Sequence, residues 1–257
     1  MVVFGLPVLP GWADLPAWTP HPLLRKEVKG RGELRVAPFS PPSGELSFYS
    51  PDPETPPFTT TRVGEEATLR VESGKGNYHW IALHRNEPER ELSLATVHFF
   101  SLVGPSPQAM LAVPKSRLEI VPSPLPREHS VYRAEEAWDF LLRFDGLPLA
   151  GQVATLYAPG QMAKGFRSDE RGVVHVVFPE FSKPSGEQKT GHSRRPLQPF
   201  QLGVEHVMAG RHFTSVFQYE YGPAPLFHRS PWMGWLVTGV GMGGGLLLWR
   251  RGRGAKR

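Results

Sequence analysis

The stretch AWDFLLRFDG, residues 137–146, decides the fold class. Read as a strand, it puts Trp138, Phe140, Leu142 and Phe144 on one face and Asp139, Leu141, Arg143 and Asp145 on the other. The RAEE that precedes it continues into good helix formers, so the neighbours must decide. Asp145-Gly146 is a turn signal, Pro148 would disrupt a continuing helix, and residues 152–157 alternate again. The reading is strand.

Downstream, a turn at Ala158-Pro159-Gly160, a strand near 163–167, a turn at 168–172 and a strand at 173–178 follow. Residues 179–199 read as a long polar loop, and strands at 200–208 and 212–221 flank Ala209-Gly210 as a hairpin. This run of short strands over 135–222 predicts an immunoglobulin-like or transthyretin-like sandwich. Upstream, turn-rich segments separate apolar runs that predict strands at 33–37, 45–49, 67–72, 78–84 and 92–102. In 78–84, Tyr78, Trp80 and Ala82 oppose His79, Ile81 and Leu83, so both faces are largely apolar and the strand is expected inside its sheet. Three prolines within 121–126 mark 123–134 as a linker between an N-terminal β-rich domain, 30–122, and the β-sandwich domain, 135–222. With 27 glycines and 28 prolines in 257 residues, spread between the apolar runs, a mostly helical chain is disfavoured. The expected architecture is all-β: two immunoglobulin-like/transthyretin-like sandwich regions plus one C-terminal transmembrane helix.

Charge is distributed unevenly. Arg250, Arg251, Arg253, Lys256 and Arg257 crowd the last eight positions, and the rest of the chain balances 24 basic residues against 24 acidic ones. The net charge of +5 therefore belongs to the tail, and a neutral body excludes a nucleic-acid partner. Just before that tail, PWMGWLVTGVGMGGGLLLW, residues 231–249, runs for nineteen positions without a charge. As a helix it would reach about 28 Å, close to the hydrocarbon thickness of a bilayer. Trp232 and Trp235 stand at one end and Trp249 at the other, as expected of interfacial rings, and the basic cluster predicts a cytoplasmic tail at 250–257. The lipid bilayer is thus an expected partner, with the globular part in the periplasm and the anchor in a bacterial inner membrane. Export requires a leader, and residues 1–29 read as a degenerate or truncated signal region: the apolar run 2–13 ends on Ala13 but contains Pro7 and Pro10 and lacks a positive start. A tail-anchored topology and a removable C-terminal sorting signal are the alternatives.

Two segments carry a family resemblance. FDGLPLAGQVATLY, residues 144–157, and FRSDERGVVHVVFP, residues 166–179, resemble the turn-and-strand pattern of carboxypeptidase-regulatory-like β-sandwich domains. With a leader, an N-terminal β region and a C-terminal span, the arrangement resembles an uncharacterised bacterial periplasmic family, some of whose members are linked to nickel or cobalt uptake. The resemblance implies a periplasmic accessory protein beside a membrane transporter or another envelope protein, with a divalent transition metal as its cargo or cofactor.

Ten histidines bear on that implication, because neutral imidazole is the commonest transition-metal ligand. His21, His175, His206 and His212 are the candidate ligands, with Glu205 and Glu220 as oxygen donors. A two-residue loop at Ala209-Gly210 would pair Val207 with His212 and His206 with Phe213, setting the imidazoles on opposite faces; a three-residue loop would pair them directly. There is no H-E-x-x-H, no G-x-S-x-G and no P-loop, and cysteine is absent. The chain is read as a binding or accessory protein rather than an enzyme. Metal-uptake assistance is one function; a metal-free structural or interaction module of the cell envelope, binding protein or saccharide, is the other.

Overall fold

The computed structural model describes residues 16–39, 44–52, 54–60, 67–126, 131–181 and 196–224. The expected span 231–249, the tail 250–257 and most of the loop 179–199 lie outside them. Among the described residues no helix is long and apolar enough to cross a membrane.

In chain order the first strands are β1 (Leu23–Gly30), β2 (Glu33–Phe39), β3 (Glu45–Tyr49), β4 (Phe58–Thr60), β5 (Ala67–Arg70), β6 (Tyr78–Asn86) and β7 (Arg90–Phe99). A short helix, α1 (Gln108–Ala112), precedes β8 (Leu118–Pro122), β9 (Tyr132–Arg133), β10 (Ala137–Phe144) and β11 (Leu147–Pro148). The chain closes with β12 (Val153–Tyr157), β13 (Lys164–Arg167), β14 (Val173–Val177), β15 (Gln198–Met208) and β16 (Arg211–Gly222).

These strands make three sheets. The first is antiparallel, ordered β1-β2-β5. A central sheet of nine strands runs β13-β12-β15-β16-β7-β6-β3-β4, with β9 attached to the end of β16. In the third, β10 pairs with β8, β11 and β14. Alternation along the central strands feeds two cores. Trp80, Ala82, Ala95 and Val97 join Phe140, Leu142, Val174 and Val176 of the third sheet, while Ile81, Leu83 and Leu94 join Leu34, Val36 and Leu69 of the first. β6 is buried on both faces from Tyr78 to Leu83 because it separates two apolar layers.

The expected division at 123–134 is corrected. β7 and β16 pair in parallel, from His212 opposite Arg90 to Gln218 opposite Thr96, so the central sheet passes through both 30–122 and 135–222. Tyr132, inside the expected linker, is fully buried and touches the rings of Trp138, Phe140, Phe178, Phe200 and Tyr219. Proline content marks an interrupted backbone but is blind to whether the segment is buried. The leader boundary is corrected too, since β1 lies almost wholly within 1–29. Gln218 holds it by accepting from the Leu24 amide at 3.0 Å and donating to the Leu24 carbonyl at 2.9 Å. Just ahead, Gln201 Nε2 donates to the Pro22 carbonyl at 2.7 Å, and the hydroxyl of buried Thr19 donates to Gln201 Oε1.

Candidate functional site

The four candidate histidines are not brought together. The β15–β16 hairpin closes through two residues, with Val207 opposite His212 and His206 opposite Phe213. Ala209 and Gly210 have φ of 51° and 78°, the pair of positive angles that a type I′ turn requires, and that register sends the two imidazoles to opposite faces. His206 packs its ring 4.8 Å from Phe144 and sets Nδ1 3.4 Å from Gln152 Oε1. His175 stands exposed on the third sheet, its Nδ1 2.6 Å from Asp139 Oδ1, an ordinary cross-strand pair of β14 and β10. His21 lies over β15, so close to Gly203 that a Cβ there would stand 2.6 Å from His21 Nε2. Burial lowers the His21 pKa, with Glu205 opposing it. Among the described residues no group of three or more histidines, aspartates and glutamates could hold a metal ion. The metal set His21, His175, His206 and His212 therefore does not form one centre, because the strand register spreads its members over different sheets and faces.

What the structure gathers instead is a buried ionic cluster that periodicity does not reveal. Glu119 on β8 faces Arg143 on β10, whose Nε and Nη2 donate to Glu119 Oε2 at 2.8 and 2.7 Å. The same guanidinium donates to the carbonyls of Ala112 and Val113 at 2.9 and 2.8 Å, and so fixes the C-terminal end of α1. Lys115 Nζ reaches Glu119 Oε1 at 3.3 Å and sits 4.6 Å from the Trp80 ring centre. Burial lowers its pKa to about 8; Arg143 pushes the same way and Glu119 opposes. Two cations share one carboxylate, which makes Glu119 the residue on which the cluster depends.

Beside the cluster a groove of about 1090 Å³ opens between the α1 segment and the end of β8. Leu111, Val121 and Leu141 supply apolar wall, Pro105 and Pro124 its rims, and Arg143 part of its floor. Tyr78 ties one border down by donating from its hydroxyl to the Pro126 carbonyl at 2.7 Å. The histidines that burial perturbs most are His79 and His98, directly opposed on β6 and β7 and each edge-on to Phe100. Their pKa values fall to about 4 and about 3, chiefly through burial, with Lys26 and His79 adding to the effect on His98. Pairing register, invisible in the sequence alone, is what makes them neighbours.

No protein-family model matches the chain, and no curated protein matches it. Among solved structures it is similar to a two-domain fibronectin type III segment of chicken tenascin, at 13% identity and a TM-score of 0.23, covering 77% of this chain and 97% of that one. It is also similar to the central fibronectin III array of a RIM-binding protein, at 10% identity and a TM-score of 0.21, covering 74% of this chain and 73% of that one. At such scores neither likeness bears on function. The strand pairing itself defines the class: an all-β, multi-sheet sandwich without a catalytic constellation among its described residues.

Proposed function

We propose that the chain is a metal-free interaction module of the bacterial cell envelope that binds a protein segment in the groove beside α1. The observation that carries this reading is the combination of apolar walls with a guanidinium, Arg143, that is already committed. Arg143 donates to Glu119, Ala112 and Val113, which leaves little for the dense hydrogen bonding that a saccharide demands. An apolar side chain presented by a protein fits Leu111, Val121 and Leu141 better. Anchorage in the inner membrane through 231–249, with 250–257 cytoplasmic and the sheets in the periplasm, is part of the same proposal and is supported by the uncharged run and the basic cluster.

A photo-crosslinking amino acid at Leu111, in the full chain in its native membrane, is expected to give a discrete protein adduct that Leu141→Glu abolishes. A glycan-array signal without an adduct would transfer the reading to saccharide, and neither result would end it. Assistance to nickel or cobalt uptake would need a ligand set that the described residues do not assemble. Calorimetry of the full chain with Ni²⁺, Co²⁺ and Zn²⁺ is expected to show no binding tighter than about 0.1 mM.

A further inference from the structure

The first and central sheets do not close at one edge. β5 ends the first sheet there and β4 ends the central one, and between them lies a pocket of about 360 Å³. Phe48, Pro56, Phe58, Leu69 and Val71 line it, with His79 in the wall. Phe58 is 55% exposed and stacks on buried Phe48 with ring centres 5.9 Å apart, so an aromatic ring already faces solvent at this edge.

Polar groups of the wall and rim divide into two kinds. Around the mouth several polar groups are paired with one another: Lys75 pairs with Asp52 at 2.8 Å, Thr55 Oγ1 donates to Asp52 Oδ2 at 2.8 Å, and Ser50 Oγ donates to the Lys75 carbonyl at 3.1 Å. His79 is different: it is 3% exposed, and its Nδ1 is buried without a hydrogen-bond partner among the described residues. An unpaired buried ring nitrogen is a free-energy cost that a ligand group bonding to it can recover.

We propose that this edge pocket binds a small, uncharged, mostly apolar molecule carrying one hydroxyl-type group, with its hydrocarbon against Phe48, Phe58 and Leu69 and its hydroxyl on the His79 ring. A hydroxyl suits either tautomer, since it donates and accepts. The nitrogen is shut from solvent, so the contact is made by a turn of the imidazole about χ2. The site is separate from the groove beside α1 and does not depend on it.

The test uses 4-butylphenol and butylbenzene as probes on the full chain, followed by calorimetry and by ¹⁵N NMR of the histidine rings. The phenol is expected to bind with a Kd below about 1 mM, roughly fivefold or more tighter than the hydrocarbon, and to shift the His79 ring nitrogens. His79→Phe is expected to erase the difference between the probes while keeping the weaker hydrocarbon binding, and Leu69→Trp to remove both by filling the pocket. Absence of saturable binding by either probe would overturn the proposal. So would equal affinities for the wild type, or His79 resonances that stay still in the wild type, a reading that needs no variant to fold.

Discussion

Toward the third sheet the central sheet presents Trp80, Phe200, Phe213, Phe217 and Tyr221; toward the first it presents Ile81, Leu83, Leu94 and Val216. The aromatic side is locked ring against ring, with Phe178 stacked on both Tyr132 and Tyr221. The aliphatic side admits polar groups between its sheets. Lys26 donates from Nζ to Thr96 Oγ1 at 3.1 Å and to the Val97 carbonyl at 3.2 Å, and the amides of Gln201 and Gln218 hold the segment leading into β1 and β1 itself. Burial lowers the Lys26 pKa, with Glu220 opposing it. The aromatic face acts as the scaffold, yet both faces bury polar atoms without a partner among the described residues: Trp80 Nε1, Tyr132 Oη and Trp138 Nε1 on the aromatic side and His79 Nδ1 on the other. Of these, His79 lines the edge pocket, where a ligand finds free energy to gain.

The largest expected effect falls on the scaffold side. Glu119→Gln leaves Arg143 and Lys115 facing each other without a counter-charge and should cost about 3–5 kcal/mol in a urea titration. Lys115→Met removes the surplus cation instead and should leave stability equal or higher, so a comparable loss from both variants would break the picture of one carboxylate serving two cations. Next is the polar side. The His79 pKa is lowered to about 4, so the unfolded chain binds the extra proton between about pH 6.5 and 4. Its stabilising contribution is complete above about pH 6.5 and fades as pH falls through that window, by about 3 kcal/mol at the acid end. His79→Phe should flatten that part of the stability profile, and an unchanged acid slope would mean that the first-sheet side is as closed to protons as the other. The smallest effect is local: Ala209 sits at φ 51°, so Ala209→Gly should raise stability by about 0.5 kcal/mol, visible as a Tm increase of a few degrees at most.

Most strands were legible because their evidence is local. The stretch at 45–49 matches β3 end for end, and 137–144, 153–157 and 173–177 fall within a residue or two of where alternation and Gly or Pro turns place them. β1 escaped because LLRKEVKG carries four charges and lies where a leader was expected, and β8 because Pro122 and Pro124 make its end read as linker. The candidate site was less legible. Whether His206 met His212 depended on one residue of loop length, and the chain's own turn chemistry, positive φ at both 209 and 210, put them apart. Lys115, Glu119 and Arg143 give no periodic signal, since each alone reads as a solvated charge.

By itself the sequence determined that this is a chain of short strands, that Tyr78 to Leu83 is apolar on both faces, and that a hairpin closes near Ala209-Gly210, with a loop of either two or three residues. Those properties depend on side-chain alternation and backbone angles over a few residues. Only the tertiary structure decided that β7 lies parallel to β16, that one sheet joins both halves of the chain, and that His79 faces His98 across β6 and β7. Hydrogen bonds between strands are made by backbone groups that every residue carries, so the choice of neighbour is settled by how whole apolar faces fit together, which no single stretch encodes.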